Sequence, residues 1–122
     1  MVEVLSDIAL TLTKDLYQKL IRTQDENVIQ LFKSADQFIE KGKDCLLIWK
    51  KFEWNFTSEY ASAFKLHKQL NLMDPNGQEY LLFQINPDEF THDEEFKVFG
   101  DYKYSCISAI PKIETSFEIT YK

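Results

Sequence analysis

The spacing of apolar residues changes near Gly42, and this change restricts the chain to a small set of folds. Before Gly42 the apolar side chains recur at helical spacing, whereas from Asp44 onward they form continuous or alternating runs. A chain with helical segments first and strand segments after them is typical of the α+β class. The sequence therefore predicts an α+β fold built on an antiparallel sheet.

Two amphipathic stripes predict two N-terminal helices, which we expect to pack as an antiparallel pair. The first helix, over residues 5–22, would bury Leu5, Ile8, Ala9, Leu12, Leu16 and Leu20. The second helix, over residues 25–41, would bury Val28, Leu31, Phe32, Ala35, Phe38 and Ile39. Gly42 would end the second helix in the left-handed conformation. A strand competes for the first dozen residues, and the helix is favoured because its stripe continues past Thr13.

Strand patterns cover most of the chain after Gly42, in residues 44–56, 80–85, 96–99, 102–110 and 113–121. Gly100 and Asp101 predict a tight turn, and Pro111 is expected to end the strand before it. Residues 57–73 fit a helix to about residue 68 followed by a strand, and fit a continuous strand nearly as well. The combined prediction is a single α+β domain, residues 1–122, with the helical pair packed on one face of a roughly five-stranded antiparallel sheet.

Acidic residues are concentrated in one part of the sequence. Residues 74–101 contain eight acids and one base, Lys97, and so carry a net charge of −7. The whole chain carries −6, so the remainder is close to neutral. Binding to nucleic acid relies on cations that neutralise phosphates, and this balance argues against such a partner. A concentrated acidic segment instead indicates docking on a basic protein.

The residues predicted to contact a basic partner lie in the second half of this segment and just after it. Their carboxylates would supply the charge, and Phe90 or Tyr102 would supply an aromatic anchor, because interface energy concentrates in a few such residues. The predicted partner-binding residues are Asp88, Glu89, Phe90, Asp93, Glu94, Glu95, Asp101 and Tyr102.

No motif in the sequence indicates catalysis or a cofactor. His67 is expected to be a surface or half-buried side chain, and His92 is expected to belong to a solvated acidic loop. Cys45 and Cys106 stand 61 positions apart in apolar surroundings, which is typical of buried, reduced thiols. The chain lacks a calcium-loop spacing, paired zinc ligands and a glycine-rich phosphate loop. We therefore expect a protein that is not an enzyme and that uses no metal and no cofactor.

In its small size, its acidic character and its lack of a catalytic motif, the chain resembles the bacterial immunity proteins that neutralise polymorphic or contact-dependent-inhibition toxins. The resemblance covers general character over the whole chain and involves no motif, so no family residue is carried over. It implies a cytoplasmic protein whose partner is the basic domain of a cognate toxin, with a nuclease as the leading candidate. No nucleic-acid or membrane partner is expected, and the exposed edge of the last strand would allow a monomer or a weak homodimer.

Three alternatives remain open at this point. A type III secretion chaperone has a similar size, charge and fold class, although such chaperones usually close with a helix where this chain has a strand pattern. A phage-type inhibitor that mimics the charge of DNA would also be acidic. A small enzyme without a recognisable motif is the third alternative.

Overall fold

The structure, a computed structural model, describes residues 6–54, 58–85, 96–112 and 116–121. The fold class is α+β, as predicted, with three helices, a five-stranded antiparallel sheet and a separate two-stranded sheet. Within the described ranges, no helix has the length and apolar character needed to cross a membrane. The elements run in the order β1 (Ser6–Thr13), α1 (Lys14–Arg22), α2 (Glu26–Lys33), β2 (Gln37–Lys41), β3 (Asp44–Phe52), α3 (Ser62–Met73), β4 (Tyr80–Ile85), β5 (Phe96–Gly100), β6 (Ile107–Lys112) and β7 (Ser116–Tyr121).

Strand β1 lies at the centre of the larger sheet. The strand order is β2-β3-β1-β4-β5, and each pair of neighbours is antiparallel. Strands β2 and β5 are therefore the two edges of this sheet. Strands β6 and β7 pair only with each other, as an antiparallel ribbon, among the described strands.

The predicted first helix is wrong over its first half, because residues 6–13 form β1, and correct from Lys14. All of β1 except its last residue is buried. Ile8, Leu12 and Leu16 are four positions apart, so buried side chains of β1 line up with the apolar stripe of α1 and fit a helical period by coincidence. Helix α1 begins where Thr13 caps it, with the Thr13 hydroxyl accepting a hydrogen bond from the Leu16 N–H at 3.1 Å.

The predicted second helix also divides into a helix and a strand. Helix α2 begins after Asp25, whose carboxylate accepts a hydrogen bond from the Asn27 N–H at 2.9 Å. It ends near Ser34, where the Trp49 indole N–H of β3 donates to the Leu31 carbonyl at 2.9 Å. The Leu31 carbonyl also accepts hydrogen bonds from the Ser34 hydroxyl at 2.6 Å and the Ser34 N–H at 3.2 Å, so three donors meet at the end of α2.

After α2 the chain pairs with β3 instead of continuing as a helix. Phe38 and Ile39 lie opposite Leu47 and Leu46 in the register of β2 and β3. Gly42, at φ +58°, then occupies the two-residue turn of this hairpin. The prediction that Gly42 needs a left-handed conformation is confirmed, but the glycine turns a hairpin and does not end a helix.

The later elements confirm predicted strands and correct some bounds and connections. Strands β4 and β5 lie where the sequence predicts them, whereas β3 ends at Phe52 and not at residue 56, and β6 begins at Ile107 and not at residue 102. The segment 62–73 is helical throughout, because its buried residues Ala63, Leu66 and Leu70 share one helix face, so the predicted strand at its end is wrong. Gly100 does not join two strands of one hairpin, since β5 pairs with β4 while β6 pairs with β7. Pro111 lies inside β6, where the open side of a two-stranded ribbon tolerates a residue without an N–H.

Two buried clusters lie on opposite faces of the central strands. Residues Ile8, Leu10 and Leu12 of β1 belong to a large cluster that also contains side chains of α1, α2 and α3. Ala9 of β1 belongs to a smaller cluster with Leu46 and Ile48 of β3 and with side chains of the β6–β7 ribbon. Because successive strand residues point to opposite faces, the central strands are sealed by apolar side chains on both sides.

A matched pair of phenylalanine substitutions tests this division between helix and strand. Phe32 of α2 is 6% exposed, whereas Phe38 of β2 is 43% exposed. We expect Phe32→Ala to lower the free energy of unfolding by about 3–5 kcal/mol. Phe38→Ala should lower it by about 1 kcal/mol. Urea denaturation measures both, and equal losses would support a continuous helix over residues 25–41 instead.

Candidate functional site

The structure describes two of the eight predicted partner-binding residues. Asp101 is exposed, and its carboxylate lies 3.6 Å from the Lys103 ammonium group. Tyr102 is only 7% exposed, so most of its ring is unavailable to a partner. The other six residues, Asp88, Glu89, Phe90, Asp93, Glu94 and Glu95, lie outside the described residues.

Two acids of the −7 segment are used by the fold itself. Asp74 is buried, and its carboxylate accepts hydrogen bonds from the backbone N–H groups of Gln78 at 3.2 Å and Glu79 at 2.7 Å. The Glu79 carboxylate accepts a hydrogen bond from the Thr13 hydroxyl at 3.1 Å. These contacts join the α3–β4 turn to the end of β1, so Asp74 and Glu79 have structural roles.

The buried carboxylate of Asp44 explains why Tyr102 is inside the protein. Asp44 is 0% exposed at the start of β3. The Tyr102 hydroxyl donates to its Oδ1 atom at 2.5 Å, and the Cys106 N–H donates to its Oδ2 atom at 3.0 Å. The Cys106 thiol also lies 3.2 Å from Oδ2. A buried carboxylate is costly unless hydrogen bonds compensate it, and here residues 102–106 provide them.

Asp44, Tyr102 and Cys106 form a group that we call the Asp44 cluster. In this cluster the Tyr102 hydroxyl and the Cys106 thiol remain protonated. Burial, together with the hydrogen bond to Asp44, raises the pKa of Tyr102. The hydrogen bond to Asp44, together with burial, raises the pKa of the Cys106 thiol. Burial raises the pKa of Cys45 to about 12. Both cysteines are free thiols, and because the thiolate is the reactive form, neither is prepared for nucleophilic chemistry.

A groove between α3 and the edge strand β5 is a second candidate site, and the sequence analysis did not predict it. We call it the α3–β5 groove; its volume is about 400 Å³. Its residues on α3 follow helical spacing, and one ring from β5 completes it. The lining residues are Phe64, His67, Lys68, Asn71, Leu72 and Phe99.

His67 is held as a neutral ring in the wall of this groove. The Trp54 indole N–H donates to the Nε2 atom of His67 at 3.0 Å, so Nε2 acts as an acceptor. The ring of Phe99 meets the ring of His67 edge to face, with centroids 4.7 Å apart. Burial lowers the pKa of His67 to about 4. At neutral pH this part of the groove is therefore aromatic and uncharged.

The charge of the groove is opposite to that of the whole chain. Helix α3 contains Lys65 and Lys68, strand β5 contains Lys97, and neither element contains an acid. Lys97 is two residues from Phe99 and so lies on the same face of β5. The groove of this acidic protein is therefore partly apolar, is lined by one lysine and no acid, and lies beside the last strand of the larger sheet among the described strands. The absence of acids from residues 62–73 is the feature of the sequence that could have indicated this groove. It was not used because that segment fitted a strand nearly as well as a helix.

Comparisons with protein-family models, with curated proteins and with solved structures give no match for this chain. Among the described residues, no group of three or more His, Cys, Asp or Glu side chains is arranged to hold a metal ion. Charge, burial and the two candidate surfaces are therefore the features from which function can be inferred.

The neutral state of His67 predicts how stability changes with pH. The unfolded chain protonates His67 near pH 6.5, whereas the folded chain does so only near pH 4. As pH falls through this window the unfolded state takes up the proton first, so stability is lost. When the pH is lowered from about 7 to about 5, the free energy of unfolding of His67→Gln should fall by about 1–2 kcal/mol less than that of the parent protein. Urea denaturation at both pH values measures the difference, His92→Gln serves as the control, and parallel losses in all three proteins would contradict the burial of His67.

The Asp44 cluster predicts the reactivity of Cys106. In a Cys45→Ala background, the pH midpoint for alkylation of Cys106 by iodoacetamide should lie above the usual 9.0. Asp44→Asn removes the negative charge beside the thiol and should lower that midpoint. Glu40→Gln removes a charge elsewhere and is the control, because the raised pKa of Cys106 comes from Asp44 and from burial. Circular dichroism checks that Asp44→Asn is folded. An unchanged midpoint in the folded variant would contradict the claim that Asp44 raises the pKa of the Cys106 thiol.

Proposed function

We propose that this chain acts by binding and neutralising a basic protein partner, as an immunity protein does for the basic domain of a toxin. A nucleic-acid-cutting domain is the leading candidate, since proteins that grip phosphates have basic clefts. The observation that carries the proposal is the net charge of −7 within residues 74–101. An immunity protein of this kind would act in the cytoplasm of the toxin-producing cell.

The structure narrows the set of acids available for docking. Asp74 and Glu79 stabilise the turn before β4, so six acids of the segment remain as candidates. We retain Phe90 as the aromatic anchor and omit Tyr102, because Tyr102 is buried against Asp44. The proposed docking residues are therefore Asp88, Glu89, Phe90, Asp93, Glu94, Glu95 and Asp101.

Charge complementarity gives this surface a defined physical role. Opposite charges on two proteins increase the rate at which they meet, and salt screens this attraction over a distance of about 8–10 Å. An acidic segment would therefore speed the capture of a basic toxin before it reaches nucleic acid. A mimic of duplex DNA would need acids over a wider surface, and the lysines of α3 and β5 oppose that alternative.

The neighbouring reading frame supplies the partner for the first test. Immunity proteins are expected beside their toxins, so the C-terminal domain encoded directly upstream is the protein to purify. Co-expression of this chain should restore growth to cells that produce that domain, and the two proteins should co-purify. A neighbour without a basic C-terminal domain, or growth that is not restored, would contradict the immunity proposal.

Charge removal tests the docking surface itself. We expect the triple variant Asp93→Asn, Glu94→Gln and Glu95→Gln to remain folded, which circular dichroism checks. Its association rate at low salt should fall by about tenfold or more, and the dependence of that rate on salt should weaken. Stopped-flow measurements at low and high salt report both quantities.

A second triple variant provides the matched control. Asp15→Asn, Glu53→Gln and Glu59→Gln remove the same charge from exposed positions outside the acidic segment. This control should keep most of the association rate. Equal slowing in both triple variants would show that net charge alone drives association, and unchanged rates in both would exclude the acidic segment from the interface.

A further inference from the structure

We propose that the edge strand β2 pairs with β2 of a second copy of this chain, so that the two five-stranded sheets become continuous. Among the described strands, β2 pairs only with β3, on one side. Four of its five residues are exposed. An edge strand presents backbone N–H and C=O groups that can pair with another chain. A homodimer would then form at β2, whereas the sequence analysis expected it at the last strand.

The register of β2 and β3 identifies which backbone groups of β2 face the open side. The Ile48 carbonyl of β3 accepts a hydrogen bond from the Asp36 N–H at 2.8 Å, so Ile48 presents its backbone to β2. In an antiparallel pair, hydrogen-bonded positions alternate with non-bonded ones. Phe38 and Glu40 lie one and three positions after Gln37, which is the residue opposite Ile48. Their N–H and C=O groups therefore point away from β3.

One register joins two copies without opposing like charges. A twofold axis perpendicular to the sheet keeps every side chain on its own face, so the axis passes through one residue of β2. With the axis at Ile39, Phe38 lies opposite the partner's Glu40, and each Phe38–Glu40 pair exchanges both of its backbone hydrogen bonds. An axis at Glu40 opposes two carboxylates, and an axis at Phe38 opposes Asp36 to Glu40. Like charges directly opposite each other destabilise a sheet, which leaves the axis at Ile39.

Phe38 supplies an apolar contact across the new strand pair. Its side chain is 43% exposed, although its ring lies 5.4 Å from the ring of Tyr17 between centroids. In the register centred on Ile39, the two Phe38 residues are diagonal neighbours about 7–8 Å apart, within reach of aromatic side chains. Pairing of the two edges therefore covers a ring that a single copy leaves half exposed.

The distribution of charge allows two acidic chains to meet at this edge. Residues 37–43 contain one acid and two lysines, whereas the acidic segment, residues 74–101, includes β4 and the opposite edge strand β5. At about 4.8 Å between strands, the two β5 strands of the dimer would lie about 43 Å apart. Salt screens exposed charges over about 8–10 Å, so the acids beside one β5 are screened from those beside the other.

A contact of this size gives a weak dimer. Stable interfaces bury about 1,200–2,000 Å² in total, and one five-residue strand from each chain buries less. We expect a Kd between about 10 µM and about 1 mM. Because each chain carries −6, the dimer should become tighter at high salt. Sedimentation equilibrium at low and high salt measures both properties.

A cysteine at the twofold axis tests the register. The background is Cys106→Ser, in which the one remaining cysteine, Cys45, is buried. Ile39→Cys would place two thiols opposite each other at a non-bonded pair, with Cα atoms about 4.5 Å apart and within reach of a disulfide. Oxidation with copper phenanthroline should therefore link two chains.

The matched control is Lys41→Cys, on the same strand and the same face. Lys41 lies opposite the partner's Gln37 in the proposed register, so two cysteines at position 41 would be about 13 Å apart along the strands. This distance is too long for a disulfide. Equal cross-linking of Ile39→Cys and Lys41→Cys would contradict the register.

A proline at the edge tests the backbone hydrogen bonds. Glu40→Pro removes an outward N–H that the pairing requires and keeps the bonds to β3, because an edge strand tolerates proline where the N–H faces solvent. It should weaken the dimer by about tenfold or more. Glu40→Gln keeps the N–H and should leave the Kd within about twofold. Circular dichroism checks that both variants are folded.

The proposal is wrong if the chain sediments as a single copy up to about 1 mM at both salt concentrations. It is also wrong if Glu40→Pro leaves a dimer unchanged, because the contact then lies elsewhere. Protection of the Phe38 and Glu40 amides from exchange only in the presence of the upstream toxin domain would assign β2 to that protein instead. Sedimentation and cross-linking use this chain alone, so this proposal and the immunity proposal fail independently.

Discussion

The burial of β1 on both faces is the constraint on which the rest of the structure depends. A central strand with no solvent-facing side needs an apolar layer above it and another below it. Ile8, Leu10 and Leu12 meet side chains of the three helices, and Ala9 meets side chains of the β6–β7 ribbon. The chain therefore cannot be a simple pair of layers with one open sheet face, and the C-terminal ribbon has a structural role.

Asp44 connects these two layers at one end of β3. Its carboxylate receives hydrogen bonds from Tyr102 and Cys106, which places the segment between β5 and β6 over the sheet. The next strand, β6, then brings Ile107 and Ala109 into the smaller buried cluster. A residue type that is usually exposed thus fixes the path of the chain, because a buried carboxylate is tolerated only where several donors converge on it.

Two surfaces of opposite charge follow from this arrangement. The acidic segment carries eight of the 20 acids of the chain, and two of those eight are used by the turn before β4. The α3–β5 groove is lined by one lysine, Lys68, and by no acid, with a neutral His67 and the rings of Phe64 and Phe99 beside it. Charge is therefore unevenly distributed, and the net charge of −6 does not describe each surface of the chain.

The sequence by itself determined the α+β class, the strands β4 and β5, the start of β3 at Asp44, the start of α2 at Asp25 and the positive φ of Gly42. Each of these depends on local features, such as a cap, a turn residue or a short apolar run, that are readable within a few positions. Only the tertiary structure decided that residues 6–13 form a strand and that Phe38 and Ile39 belong to a second strand, β2. In residues 6–13 the side chains of Ile8, Leu10 and Leu12 fit a strand period, while Ile8 and Leu12 together with Leu16 also fit a helical period. The α3–β5 groove and the Asp44 cluster join residues 27 to 62 positions apart, and such pairings are set by packing between elements, which no local spacing records.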